Sequence, residues 1–161
     1  MTYRGPELLG PDHLLDGFDC GKDALNDWLL RRAFRNQQTG ATRTWVVIDE
    51  DDRVIAYYAS ATASIIRSAA TSRAARNQPQ DIPAVLLARM AVDGKHHGHG
   101  LGSALLKHFV LKALEVAQVV GVRVLLVHAK DEEARTFYLH HDFTPSPVDD
   151  LTLMRVVQDI T

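Results

Sequence analysis

The pattern that most constrains the fold of this chain is an amphipathic helix placed between two apolar runs. The runs cover Ala84 to Val92, interrupted by Arg89, and Val122 to Ala129. Between them, Ser103 to Val120 carries apolar residues at helical spacing, and Gly121 follows in the position that often ends a helix. Compact apolar runs of this kind are typical of buried strands. Strands that alternate with helices predict an α/β fold with a mixed sheet.

The first half of the chain adds a helix and a hairpin to this pattern. Apolar residues recur at helical spacing from Asp23 to Ala33. Thr44 to Ile48 and Val54 to Tyr58 are β-branched and aromatic runs, and the acidic turn Asp49 to Asp52 between them predicts a hairpin. Ser60 to Gln80 is weakly patterned, and its composition leaves a helix, a loop and a mobile flap open.

The C-terminal part predicts one more helix and one or two strands. Asp131 is suited to begin the helix, which reaches about His141, and Leu151 to Val157 has strand character. Pro79 and Pro83 end the weakly patterned segment. No proline lies inside a predicted element. The order of elements is helix, hairpin, flap, strand, helix, strand, helix and strand.

Composition excludes several classes of protein. The chain has 161 residues, of which 46% are hydrophobic and 24% charged, as expected for one globular domain over residues 1–161. A single cysteine, Cys20, excludes an intrachain disulfide. The N-terminal segment has no basic start before an apolar stretch, and no segment approaches the roughly 20 apolar residues that cross a bilayer. We therefore expect a cytoplasmic protein that is not associated with a membrane.

Arginine is concentrated in part of a chain whose net charge is only −2. From Trp28 to Gln80 the only acids are those of the hairpin turn. The candidate residues for an RNA-backbone surface are Arg31, Arg32, Arg35, Arg43, Arg67, Arg73, Arg76 and Arg89. A local basic patch attracts phosphate even on a slightly acidic chain. Scattered, solvated arginines are the alternative interpretation, and the sequence leaves both open.

Glycines cluster where the first apolar run meets the long helix, in His97-Gly98-His99-Gly100-Leu101-Gly102. Glycine lets an anion approach the backbone, and the N–H groups of a helix's first turn point at it, which suits a pyrophosphate. A P-loop needs Gly-Lys-Ser/Thr, which does not follow here, and Ser103 stands where a dinucleotide fingerprint has its third glycine. A nucleoside triphosphate and an adenine dinucleotide are therefore disfavoured.

This turn resembles the acyl-CoA loop of the GCN5-related N-acetyltransferases (GNAT), Gln/Arg-x-x-Gly-x-Gly/Ala, with His97 at the Gln/Arg position. A second segment, Asp131 to Tyr138 followed by Asp142-Phe143, is similar to the family's Asn/Asp-Glu-x-Ala-x-x-Phe-Tyr motif and its later Gly-Phe, with Asp142 in place of glycine. Segments such as Phe18-Asp19-Cys20-Gly21 and Leu87 to Asp93 narrow the resemblance to the acetyltransferase toxins of bacterial type II toxin–antitoxin pairs.

The resemblance implies a mostly antiparallel mixed sheet flanked by helices, and acetyl-CoA as cofactor. Its candidate contacts are Met90, Ala91, Val92, His97, Gly98, His99, Gly100, Leu101, Gly102, Ser103, Asp131, Ala134 and Phe137. Tyr138 matches the family's catalytic tyrosine, and its phenol, with an ordinary pKa of about 10, can protonate a departing thiolate. A tyrosine that only packs beside Phe137 is the alternative.

The absence of a carboxylate base limits which kind of amine can accept the acetyl group. No Glu or Asp lies on the apolar run from Leu86 to Val92, where many of these enzymes place one. A lysine amine has a pKa of about 10.4 and needs deprotonation, whereas an α-amino group, at about 7.7–8.0, is already partly neutral. This favours an α-amine, and the toxin branch implies the α-amino group of aminoacyl-tRNA, whose acetylation would block translation.

The resemblance also implies partners, and other functions remain open. We expect a ribbon-helix-helix antitoxin and a homodimer. A general small-amine or protein N-acetyltransferase is the alternative of the same fold, and a non-catalytic CoA- or nucleotide-binding module is another. His96, His97, His99, His140 and His141 raise the question of zinc, but no carboxylate or thiol is spaced with them, so no metal site is predicted.

Overall fold

The computed structural model describes residues 2–160. Over that range the strands are β1 (Arg4–Leu8), β2 (Arg43–Ile48), β3 (Val54–Ile66), β4 (Asp81–Val92), β5 (Val124–His128), β6 (Thr144–Pro145) and β7 (Thr152–Val156). The helices are α1 (Asp23–Arg31), α2 (Ala33–Gln38), α3 (Ser72–Ala75), α4 (Leu101–Ala117) and α5 (Glu132–His140). None of these helices is long and apolar enough to cross a membrane.

The strands form one sheet in the order β1-β2-β3-β4-β5-β7-β6. β4 and β5 are parallel, with Ala84 opposite Val124 and Leu87 opposite Val127. The pairs β1–β2, β2–β3, β5–β7 and β6–β7 are antiparallel. The prediction of a mixed, mostly antiparallel sheet flanked by helices is therefore confirmed.

The chain divides into two compact units. The first contains the residues up to Ala61 together with Ala88–Phe109, and the second contains Thr62–Leu87 together with the residues from Val110 onward. In the first unit, Trp28 stacks on Tyr57 with their ring centroids 5.9 Å apart, and both residues belong to a buried apolar cluster.

The core of the second unit is built from β4, β5 and β7. Ile82, Val124, Leu126 and Met154 are buried there, each 3% exposed or less. Because β5 is buried on both faces, its apolar run is continuous rather than alternating, as the sequence indicated.

Two strands of the structure, β1 and β4, differ from the predicted elements. β1 was missed, because Pro6 and the short polar segment around it hide the strand pattern; β1 is an edge strand, where proline is tolerated. Pro83 lies inside β4, contrary to the prediction that no proline falls within an element. Its carbonyl accepts a hydrogen bond from the Arg123 N–H at 2.9 Å, so the acceptor side of the residue still contributes to the strand region.

The segment 60–80 is ordered by arginine side chains. β3 continues to Ile66, and α3 follows after a short 3-10 turn. The guanidinium of Arg67 donates to the Ala75 carbonyl at 2.6 Å, and that of Arg123 donates to the Arg73 carbonyl at 2.7 Å. These bonds satisfy carbonyls at the end of a helix too short to be stable alone.

The long helix ends at Ala117 rather than at Gly121. The next turn tightens, with the Gln118 N–H bonded to the Glu115 carbonyl at 3.2 Å. Val119 is 83% exposed, so no buried face remains to hold another helical turn.

Candidate active site

The glycine turn lies in the first unit, between β4 and α4. Asp93 begins it and is buried; its carboxylate accepts hydrogen bonds from the N–H groups of Lys95 at 2.9 Å and Asp19 at 3.0 Å. The Gly94 N–H donates to the Asp19 carbonyl at 2.9 Å. The start of the turn is thereby fixed to the N-terminal segment.

The exposed part of the turn is shaped for an anion. Gly98 and Gly100 have φ values of +82° and +75°, a backbone conformation that residues with a side chain rarely adopt. A Cβ built on either residue meets no atom within 4 Å, so the space beside the backbone is open. The Ala104 N–H makes a helical bond to the Gly100 carbonyl, and the N–H groups before it lie in the first turn, where no intrahelical acceptor exists. The residues present therefore fit the diphosphate of coenzyme A.

The other candidate contacts near this turn have mixed exposure. His97 and His99 are exposed, and a His97 ring nitrogen lies 2.9 Å from the Val92 carbonyl. Leu101 is buried, whereas Ser103 is exposed. On β4, Ala91 is buried, and its neighbours Met90 and Val92 are half-buried.

The candidate residues of α5 lie in the second unit. The Asp131 carboxylate accepts the Ala134 N–H at 2.8 Å, so Asp131 caps the helix as its sequence position indicated. Ala134 and Phe137 are half-buried. Asp142, in the place of the family's glycine, has φ +71°, a conformation that aspartate tolerates better than most residues.

Tyr138 has a buried ring, and its hydroxyl has no hydrogen-bond partner among the described residues. Its ring is packed edge-on against Phe137 and Phe143, and the residue is 6% exposed. Burial raises the pKa of Tyr138 above its ordinary value, so the phenol keeps its proton. Within residues 2–160, this hydroxyl makes no hydrogen bond to another group of the chain.

The other two buried tyrosines differ from Tyr138 in this respect. The Tyr57 hydroxyl donates to the Leu25 carbonyl at 2.7 Å, and the Tyr58 hydroxyl lies 2.6 Å from His108 Nδ1. Both hydroxyls therefore make structural contacts, whereas that of Tyr138 makes no such bond within the described residues.

The candidate arginines separate into two groups. Arg31, Arg32, Arg35, Arg43 and Arg89 belong to the first unit, and Arg67, Arg73 and Arg76 belong to the second. Of the first group, the α1 and α2 arginines and Arg43 are exposed, and Arg43 also donates to the Gln37 carbonyl at 3.0 Å. The Arg89 guanidinium carbon lies 4.7 Å from the centre of the Trp28 ring.

The second group has contacts within the chain. Arg73 is paired with Asp159 at 2.8 Å, and Arg67 binds backbone carbonyls of the α3 segment, while Arg76 is exposed. The contacts of Arg67 and Arg73 within the chain account for both residues without an RNA ligand.

No free carboxylate lies at the end of β4 that faces the turn. The acid on this strand is Asp81, its exposed first residue, and Asp93 after the strand is occupied by the two backbone N–H groups. Across residues 2–160, no group of three or more His, Cys, Asp or Glu side chains is placed to hold a metal ion.

A glycine turn that leads from a strand of a mixed sheet into a long helix is compatible with binding of the diphosphate of an acyl-CoA. A family profile described as an acetyltransferase (GNAT) domain matches residues 40–145. The chain belongs to this GNAT acetyltransferase family, and the predicted family, fold and enzyme class are confirmed.

Individual relatives agree with this assignment. The chain is 40% identical over 157 residues to a tRNA-acetylating toxin of Mycobacterium tuberculosis, covering 98% of this chain and 94% of the relative. It is similar to the structure of AtaT complexed with acetyl-methionyl-tRNAfMet, with a TM-score of 0.88, 28% identity, and coverage of 98% and 95%. A tyrosine-to-phenylalanine mutant of AtaT, bound to acetyl-CoA and the C-terminus of the antitoxin AtaR, has a TM-score of 0.82, 27% identity, and coverage of 98% and 94%.

Proposed function

We propose that this chain is a toxin that transfers the acetyl group of acetyl-CoA to the α-amino group of aminoacyl-tRNA and so blocks translation. The observation that carries this proposal is the 40% identity, over 98% of the chain, to a tRNA-acetylating toxin. The AtaT structure supports it, since acetyl-methionyl-tRNAfMet is an aminoacyl-tRNA that carries the transferred group.

Acetyl-CoA supplies an acetyl group that is activated as a thioester. Backbone N–H groups of the turn from His97 to Ser103 hold its diphosphate, as the open space beside Gly98 and Gly100 allows. Met90, Ala91 and Val92 hold the pantetheine arm through main-chain groups. Asp131, Ala134 and Phe137 of the α5 region complete the candidate cofactor contacts.

Tyr138 acts as the general acid. Its phenol is kept protonated by burial, and its hydroxyl is not engaged by another group of the described chain. It donates this proton to the departing sulfur, so that coenzyme A leaves as a neutral thiol. The amine nitrogen loses one proton on becoming an amide, and this proton restores the phenol of Tyr138.

The acceptor is an α-amine rather than a lysine side chain. The end of β4 offers no carboxylate base, and an α-amino group needs less help than lysine to become neutral at physiological pH. Aminoacyl-tRNA presents such an amine together with a phosphate backbone. We infer a cytoplasmic location for the enzyme, because charged tRNA is used there.

The exposed arginines of α1 and α2 bind the tRNA backbone. We expect the charge reversal Arg31→Glu with Arg35→Glu to raise the KM for aminoacyl-tRNA about tenfold or more and leave the Kd for acetyl-CoA unchanged. For each phosphate contact that is lost, the slope of log binding constant against log salt concentration becomes shallower by about 0.7–0.9. Steady-state kinetics at several salt concentrations measure both effects.

A control for this surface is Lys107→Glu on α4, an exposed residue, which is compared with Arg35→Glu alone because each substitution changes the charge by the same amount. Its acceptor kinetics are expected to match those of the unaltered protein. Equal effects of both changes would mean that net charge, rather than the α1–α2 surface, sets the KM.

We also propose the assembly that accompanies this activity. Residues 1–161 act as one acetyltransferase domain that forms a homodimer. Its protein partner is a ribbon-helix-helix antitoxin; the AtaT neighbour bound to the C-terminus of its antitoxin supports an antitoxin partner, and the family resemblance suggests the ribbon-helix-helix type.

The direct test is transfer of radiolabelled acetyl from acetyl-CoA to a panel of acceptors. The panel contains individual aminoacyl-tRNAs, uncharged tRNA, polyamines, aminoglycosides and peptides. We expect label on one or more aminoacyl-tRNAs and none on uncharged tRNA. Label confined to polyamines or aminoglycosides would instead identify a small-amine acetyltransferase, and binding of acetyl-CoA without any transfer would identify a binding module.

A further inference from the structure

A cavity of about 400 Å³ lies within the second unit and combines apolar walls with a chain of polar side chains. Ile65, Leu126 and Val148 contribute apolar surface, and His128, the exposed last residue of β5, contributes an imidazole. The volume is within the range of pockets that bind small ligands. In sheets with parallel strands, ligands commonly bind beyond the carboxyl ends of those strands, and β5 is one of the parallel pair.

Three side chains in this cavity form a directed hydrogen-bond chain. His128 Nδ1 lies 3.1 Å from Thr152 Oγ1, and the Thr152 hydroxyl donates to Asp149 Oδ2 at 2.8 Å. A hydroxyl has one proton, and this one is given to the carboxylate. Thr152 Oγ1 must therefore accept from Nδ1–H of His128. This assigns the tautomer with the proton on Nδ1 and leaves the Nε2 lone pair as a proton acceptor.

Hydrogen bonds keep Asp149 ionised, as the hydrogen-bond chain from His128 through Thr152 requires. The Leu151 N–H donates to its other oxygen at 3.0 Å, and this bond, together with that from Thr152, lowers the pKa of Asp149 below its ordinary value. The carboxylate stays ionised near neutral pH, so it continues to accept from the threonine. His128 and Asp149 are the titratable groups among the residues that line the cavity.

We propose that His128 is the proton acceptor that neutralises the α-ammonium group of the acceptor, with Thr152 and Asp149 as its positioning residues. This inference rests on the proposed function, because it concerns the acceptor of that reaction. One N–H bond of the ammonium group breaks, an N–H bond forms at His128 Nε2, and the electron pair stays on the amine nitrogen, which becomes a nucleophile. The imidazolium later returns the proton to water.

The first test is His128→Asn. The asparagine amide can still donate to Thr152, but it has no basic nitrogen. We measure kcat/KM from about pH 6 to pH 9 with the aminoacyl-tRNA that the unaltered protein acetylates fastest in the panel above. We expect a loss of about 10²-fold at the acid end. The loss should shrink as the pH passes about 7.7–8.0, where the α-amino group loses its proton unaided.

The second test separates positioning from packing. Thr152→Val removes the hydroxyl that fixes the tautomer and keeps the shape of the side chain, whereas Thr152→Ser keeps the hydroxyl. We expect the valine variant to show the same pH-dependent loss, about tenfold at the acid end, and the serine variant to restore most of the activity. An unchanged Kd for acetyl-CoA and an unchanged melting temperature would show that each variant keeps its folded structure.

The outcomes distinguish this inference from the proposed function. If the unaltered protein acetylates no aminoacyl-tRNA, the proposed function fails. If it does, and His128→Asn has an unchanged kcat/KM or a loss of equal size at every pH, His128 is not the proton acceptor. A serine variant as impaired as the valine variant would likewise overturn the role of the hydrogen-bond chain.

Discussion

Tyr138→Phe is expected to lower kcat for acetyl transfer by about 10²–10⁴-fold, the usual contribution of a general acid. The substitution removes one hydroxyl that has no partner within the described chain, so the free energy of unfolding should change little. The Kd for acetyl-CoA should also be unchanged, since the ring that packs against Phe137 and Phe143 remains. Single-turnover kinetics, calorimetric binding and thermal unfolding measure the three quantities.

Tyr57→Phe is the matched control for this result. It removes a buried hydroxyl that donates to the Leu25 carbonyl, and it should lower the free energy of unfolding by about 1–3 kcal/mol because that carbonyl loses its partner. Its kcat should stay close to that of the unaltered protein at a temperature where both are folded. Near-normal turnover of the Tyr138 variant would remove this residue from the mechanism.

Gly98→Val is expected to raise the Kd for acetyl-CoA about 10-fold to 100-fold, the loss of one hydrogen bond to a charged group. Its side chain would occupy the open space beside the turn, where the diphosphate approaches the backbone. The positive φ of +82° also strains any β-branched residue by about 1–2 kcal/mol. Calorimetric titration with acetyl-CoA measures the affinity.

Gly40→Val isolates the effect of strain from the effect on the ligand. Gly40 has φ +85° and open space around a built Cβ, so the substitution carries a similar conformational cost in a different turn. We expect the two variants to lose similar stability, with only the Gly98 variant losing affinity for acetyl-CoA. Equal affinities would mean that this turn does not hold the diphosphate.

The hairpin, α4 and α5 could be predicted because their signals are local. Apolar periodicity, the acidic turn and the Asp131 cap all involve residues a few positions apart, and the structure confirms them. The same locality explains the errors. β1 has little pattern of its own and exists because it pairs with β2, and the end of α4 is set by the loss of a buried face at Val119.

The candidate site was predictable only in part. The glycine turn and Tyr138 stand in recognisable motifs, but no motif marks His128, which lies at the end of a predicted strand and could be taken for a packing residue. Its meaning depends on Thr152, 24 residues further along the chain. Likewise, the sequence presents Arg67 and Arg73 as equal to the other arginines, although both are bound by groups of this chain.

The sequence by itself determined the family, the glycine turn and the caps and periodicities of the helices. These features depend on backbone preferences and on side chains within one or two turns, so each is written in a short stretch of residues. Only the tertiary structure decided which tyrosine hydroxyl lacks a partner within the described chain, which arginines are bound by groups of this chain and which histidine is linked to a carboxylate. Those properties depend on which distant groups fill the space around a side chain, and that is set when the sheet assembles.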